Sequence, residues 1–119
     1  MNQTRRIPPS AVNPPNRKGV SREVIELTAE RLRVIAEPTR ITLLQALIDG
    51  EAGVQELADY TGLTHQTASR HLALLYQAGV LGRKREVPTT RYVIADWSAW
   101  WVIEQIARWV QSCQEEQIE

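Results

Sequence analysis

The stretch Thr64–Arg70 sets Thr64, His65, Gln66, Thr67, Ser69 and Arg70 side by side. These side chains can read a nucleic acid. A glutamine amide pairs with the N6/N7 edge of adenine, an arginine fork pairs with the O6/N7 edge of guanine, and a serine hydroxyl can donate or accept toward either. Thr64, Thr67 and the free N–H groups of a helix start suit a phosphate oxygen, which fixes register without reading sequence. Further along, Arg83, Lys84, Arg85 and Arg91 gather positive charge that would meet a sugar–phosphate backbone or a minor groove. Other chemistry has little to stand on. The chain has one cysteine, Cys113, and two histidines, His65 and His71, with no phosphate-binding loop and no paired acid and base. No catalytic residue is assigned, and an enzyme is not expected.

Side chains of this kind act only if a helix presents them on one face. Thr64 is an N-cap and Gly79 a stop, which predicts a helix from Thr64 to about Ala78. At 100° per residue Ala68, His71, Leu72, Leu75 and Ala78 share one face, and Gln66, Arg70, Ala73 and Gln77 the opposite stripe, with Ser69 and His65 beside it. His71 therefore lies at the core border, open to packing or to contact. Before this helix, Val54–Thr61 reads as a short helix, and Gly62-Leu63 as a tight turn. Two helices precede it. One runs from the cap Ser21 to about Ala36 with Ile25, Leu32 and Ile35 on a stripe; the other, opened by Pro38, runs from Thr39 to Ile48 with the apolar positions Ile41, Leu44 and Ile48 at helical spacing. After Gly79 the run VLGRKREVPTTRYVI predicts two short strands, Val80–Arg85 and Arg91–Ile94, joined by Val87-Pro88-Thr89-Thr90. Asp96 caps a last helix from Trp97.

The expected fold is mainly α with a small β-hairpin: a winged helix-turn-helix, with the second helix of the motif entering a DNA major groove. Its expected parts are a flexible, basic, proline-rich arm over 1–20, the winged domain over 21–96 and a dimerisation helix over 97–119. With 119 residues there is room for one ordinary domain. The formal charge of zero conceals a division along the chain. Residues 1–22 carry +5, 23–59 carry −5, 60–91 carry +4 and 92–119 carry −4. The arm's Arg5, Arg6, Arg17 and Lys18 either follow a DNA backbone or stay solvated. The opening MNQTRRIPPS lacks the apolar core of a secretory signal, and no stretch is apolar enough to cross a membrane, so a cytoplasmic chain without a membrane partner is expected.

The segments RLRVIAEPTRITLLQAL (31–47) and VQELADYTGLTHQTASRHLALLYQAGVLGRKRE (54–86) resemble the ArsR/SmtB family of bacterial winged-helix repressors. The resemblance spans about residues 22–112. It implies a homodimer on a palindromic operator, an interface built by the first and last helices, and base contacts from His65, Gln66, Ser69 and Arg70. Many members sense a metal through cysteines at the start of the third helix, where Gly53 and Gln55 stand here. Others use Asp and His on the last helix, which here has no histidine. Zinc needs about four N or S ligands, so neither metal nor cofactor is expected. A small-molecule effector is left open.

The last helix supports the dimer expectation from its own residues. Ala99, Val102, Ile103, Ile106, Val110 and Cys113 form one stripe, with Trp97, Trp100 and Trp101 elsewhere around the first turns. A helix apolar on several sides needs cover on several sides, and a second subunit supplies it. The expected interface comprises Ile25, Leu32, Trp97, Trp100, Trp101, Ile103, Ile106, Val110 and Cys113. The tryptophans fit either a dimer core or an aromatic pocket for an apolar effector. The competing functional reading is a winged-helix protein-interaction module that does not bind DNA. Its docking face would carry apolar anchors, where the 66–70 surface is polar.

Overall fold

Proline and glycine punctuation divides the chain into short elements whose caps are visible in the geometry. A computed structural model describes residues 19–118, so the arm expected over 1–20 lies, apart from Gly19 and Val20, outside the described residues. In chain order the elements are α1 (Arg22–Ile35), α2 (Pro38–Ala46), β1 (Ala52–Gly53), α3 (Val54–Thr61), α4 (His65–Gln77), β2 (Leu81–Glu86), β3 (Thr89–Ile94) and α5 (Trp97–Ile118). Ser21 caps α1 by accepting the Val24 N–H at 3.2 Å, and Thr64 caps α4 by accepting the Thr67 N–H at 3.1 Å. Pro38 is the first residue of α2, and Glu37 is its cap. Gly62, at φ +77°, closes α3 in the left-handed conformation, and the Leu63 N–H returns to the Ala58 carbonyl. This turn sets α4 across α3.

Four details differ from the expectations. The hairpin turn is only Val87-Pro88, joined by a cis peptide bond; Thr89 and Thr90 pair with Glu86 and Arg85 instead of looping. β-branched threonines favour a strand once a partner strand is present. Ala52 and Gly53 form an extra strand against Tyr92 and Arg91, giving the sheet order β1-β3-β2. Two residues are too few to show alternation, so the strand exists only through its partner. On α2 the fully buried residues are Leu43, Leu44 and the following Leu47, with Ile41 and Ile48 at the margin. Finally, Ile103 belongs to the chain's own core rather than to an outward interface, because the first two turns of α5 lie back on the domain through Ala99 and Ile103.

The core joins all layers. Ile35 of α1, the α2 leucines, Leu57 and Ala58 of α3, Ala68, Leu72 and Leu75 of α4, and Leu81, Tyr92 and Ile94 of the sheet form one cluster. Polar links hold its edges. Arg31 of α1 donates to the carboxylate of Asp96, which also accepts the Ser98 N–H at the start of α5. Arg40 of α2 donates to the Val34 carbonyl, and its Nη1 lies 3.1 Å from His71 Nδ1 on α4. Because a guanidinium can only donate, this contact is a hydrogen bond in the neutral imidazole tautomer whose Nδ1 accepts and whose proton sits on Nε2. His71 is thus the half-buried, bonded histidine of the two readings left open for it.

Two outcomes follow from this packing. Replacing Leu72 with Ala should destabilise the fold by about 2–5 kcal/mol, read from urea unfolding at fixed protein concentration, because a fully enclosed site cannot collapse around the cavity. The second concerns pH. The Arg40 N–H bonded to Glu37 holds that carboxyl below the ordinary value of 4.5, burial working against the shift and His71 and Arg40 charge assisting it. A depressed folded pKa means stability that is present above pH 4.5 and lost as pH falls through the folded value. Glu37→Gln should therefore be less stable than the parent at pH 7, and the gap should shrink on acidification below pH 4.5; a gap constant with pH would contradict this.

Candidate nucleic-acid interface

α4 is fixed in rotation by its inner edge. Ala68, Leu72 and Leu75 have no solvent exposure, so the opposite stripe must face outward. His65, Gln66, Arg70 and Gln77 are exposed, Ser69 and Ala73 are half-exposed, and no carboxylate pairs with Arg70 among the described residues. Thr64 and Thr67 are partly committed to one another, with their hydroxyls 3.0 Å apart. They still frame the N-terminal turn, whose amides and positive end face outward together. The expected reading residues thus stand on one surface.

The wing runs back along one flank of this helix. His65, Ser69 and Tyr76 fall within about 40° of one another at 100° per residue, and that flank faces the strands. At its far end the Arg83 guanidinium sits 4.0 Å from the centre of the Tyr76 ring. At its near end a groove of about 490 Å³ separates His65 from Pro88, Thr90 and Arg91, with Gln55 and Glu56 on its other wall. Tyr76, Glu51 and Glu56 were not anticipated as parts of the site. The helical wheel does place Tyr76 on the flank of Ser69, but nothing local marks the two acids.

Those acids divide the wing's positive charge. Lys84 and Arg91 are direct cross-strand partners, a like-charge pair that costs about 0.2–1 kcal/mol. Lys84 Nζ lies 3.4 Å from Glu51, and Arg91 lies 3.2 Å from Glu56 and donates to the Glu51 carbonyl at 3.1 Å. Partly exposed ion pairs of this kind contribute about as much as the repulsion costs, so they offset it and leave that face nearly neutral. The other face, carrying Arg83 and Arg85, has no carboxylate partner among the described residues. Of the four basic wing residues expected to meet DNA, two are compensated within the chain and two are not.

A second surface lies away from α4. Val24, Ile25, Leu27 and Leu32 of α1 and Trp97, Ile106, Trp109 and Val110 of α5 are all more than two-fifths exposed. Trp100, Trp101 and Cys113 are half-buried, and the Trp101 indole N–H is enclosed without a partner. A groove of about 340 Å³ runs between the two helices, lined by Val24, Leu27, Leu32 and Val102 with Arg31 and Asp96. Trp109, Val24 and Leu27 extend the apolar face beyond the residues expected there. Among the described residues no three His, Cys, Asp or Glu side chains gather around a point that would hold a metal ion, and no helix is long and apolar enough to cross a membrane.

Comparison with known proteins matches both sequence and shape. The model of the bacterial regulatory protein arsR family matches residues 37–81, from the cap of α2 to the start of β2. The HTH-type transcriptional regulator CmtR of Mycobacterium tuberculosis is 39% identical over 75 residues, 62% of this chain and 64% of that protein. A probable mercury resistance operon repressor of Streptomyces lividans is 32% identical over 71 residues, 60% of this chain and 57% of that one. The chain therefore spans less than two thirds of either relative's length. In shape it is similar to the solution structure of a homodimeric winged helix-turn-helix DNA-binding domain from Mycobacterium bovis, with a TM-score of 0.62 and 27% identity over 85% of this chain and 93% of that one. Taken with the capped helix-turn-helix of α3 and α4 and the wing beside it, these matches make residues 37–81 similar to the DNA-binding segment of the bacterial arsR family, and the chain similar in shape to a winged helix-turn-helix domain.

Proposed function

We propose that the chain is a homodimeric, sequence-reading DNA-binding regulator that acts as a repressor, with α4 in the major groove and the β2–β3 wing against the neighbouring backbone or minor groove. The observation that carries this reading is the outward face of α4. Gln66 and Arg70 are exposed on a helix whose rotation is locked by its buried edge, beside a wing face of uncompensated arginine charge. Gln66 and Arg70 read bases, Ser69 and His65 reach a base or phosphate from the wing-facing flank, and Thr64, Thr67 and the first amides of α4 hold a phosphate. Arg83 and Arg85 supply the wing's backbone contacts, and Lys84 and Arg91 contribute less because Glu51 and Glu56 already compensate them.

A second copy covers the α1–α5 face. Isolated chains rarely leave so many large apolar side chains exposed on adjoining helices, and the M. bovis domain of similar shape is homodimeric. Two recognition helices related by a twofold axis then meet half-sites about one helical turn, ~34 Å, apart. Ile25, Leu32, Trp97, Trp100, Trp101, Ile106, Val110 and Cys113 remain assigned to this interface, joined by Val24, Leu27 and Trp109.

The test is a fluorescence-anisotropy titration of the chain against its own upstream DNA and a scrambled duplex over a salt series. Preferential binding with log affinity falling steeply against log salt supports the reading; equal affinity for both duplexes at every salt, with a folded dimer, would turn the assignment toward protein interaction. Arg70→Ala should cost about 1–3 kcal/mol and relax sequence preference at the position it contacts. Ile106→Glu places a charge on the uncovered face of α5 and should convert the dimer to a monomer in sedimentation equilibrium. Its operator affinity should fall with it, since two linked half-sites bind far more tightly than one.

A further inference from the structure

We infer that Tyr76 is a positioning residue for DNA binding: its ring seats the Arg83 guanidinium against the end of the recognition helix, so that helix and wing meet one duplex as a single unit. The inference rests on the DNA-binding reading and adds a residue to it that makes no base contact. Arg83 and Arg85 lie on one face of β2, on the same side as the buried Leu81, and this face turns toward α4. Only Arg83 has a described partner on α4, the Tyr76 ring 4.0 Å away.

The kind of partner matters more than its presence. A carboxylate at position 76 would hold the guanidinium equally well but would cancel its charge and repel a phosphate. Lys84 and Arg91, held by Glu51 and Glu56, are in that compensated state. An aromatic face attracts the cation through its quadrupole and leaves the charge and the N–H edges free. A guanidinium stacked on one face still presents its fork edge-on, which is the geometry a phosphate needs. Seating it beforehand also removes part of the ordering cost that a free arginine side chain would incur on binding. Tyr76 is itself only about one-third exposed, and its flank continues toward Ser69 and His65, so the seated charge lies in line with groups already assigned to the duplex.

The experiment uses the full chain and a fluorescein-labelled duplex selected from a random library for binding to the parent protein. Arg83→Gln should make the slope of log affinity against log salt shallower by about 0.9 for each phosphate that it leaves unneutralised, roughly 1.8 for a dimer. Tyr76→Phe, which keeps the ring, should bind as the parent does. Tyr76→Leu should weaken binding roughly fivefold to thirtyfold across the two subunits and should add nothing in the Arg83→Gln background. Circular dichroism and the thermal midpoint check each fold, and Tyr76→Gln repeats the test should the leucine variant aggregate. A full, additive weakening by Tyr76→Leu in the Arg83→Gln background would overturn the inference, as would a weakening by Tyr76→Phe equal to that by Tyr76→Leu, which marks a hydroxyl contact instead. Parent binding left intact by Tyr76→Leu and Tyr76→Gln removes this inference alone. Failure of the parent to bind any selected duplex removes the DNA-binding reading together with it.

Discussion

The enclosed edge of α4 is the constraint on which the other features depend. Ala68, Leu72 and Leu75 sit without exposure against α2, α3 and the start of β2, so the helix has one rotational setting and one outward stripe. A turn of the helix by a single residue would swing about 100° of surface and put Ser69, Ala73 and Tyr76, or Thr67, His71 and Leu74, in the places of Ala68, Leu72 and Leu75, bringing unpaired polar groups into an apolar cluster. The neighbouring devices act on the same element. Thr64 and Gly62 fix where it begins, Gly79 fixes where it ends, and the Arg40–His71 bond ties its middle to the α1–α2 corner. Surface chemistry on α4 is therefore a consequence of interior packing.

Charge follows a different logic, because the total says little about what any partner would meet. The segment 60–91 carries a net +4, yet Lys84 and Arg91 are matched by Glu51 and Glu56 from the preceding acidic segment. The fold brings acids to these bases across the β1–β3 and α3–β3 contacts, and one wing face loses its field while the other keeps it. A partner approaching α4 meets Arg70, Arg83 and Arg85; a partner approaching the outer wing face meets compensated pairs. Electrostatic steering acts through such local asymmetry, and a net charge of zero does not exclude it.

Local signals carried most of the fold. Caps and stops are one- to three-residue events, so Ser21, Pro38, Gly62, Thr64 and Gly79 bound their elements close to where the structure has them. The outward stripe of α4 was legible for the same reason, since periodicity is local. What escaped depends on contacts distant in sequence. β1 exists through Tyr92 and Arg91, the neutral wing face through residues about thirty-five positions earlier, and the inward placement of Ile103 through the way α5 folds back onto the domain. On α5 an apolar stripe looks the same whether it covers its own core or a second copy, so periodicity alone could not divide Ala99 and Ile103 from Ile106 and Val110.

That division within α5 bears on how the two surfaces relate. The helix begins at the sheet: the Val80 carbonyl accepts the N–H groups of both Ala95 and Asp96, and Asp96 receives Arg31 from α1. Val80 also donates to the Leu75 carbonyl, and a Cβ at Gly79 would come within 3.4 Å of Arg31 Nη2. The exit of α4, the base of the wing and the root of the apolar α1–α5 face are thus joined within a few residues by backbone hydrogen bonds and one part-buried ion pair. Interiors and bonded junctions of this density shift between discrete arrangements rather than deforming smoothly. Any change in how α1 and α5 are covered that moves Asp96 must therefore either break its bonds to Arg31 and Val80 or carry the end of α4 with it.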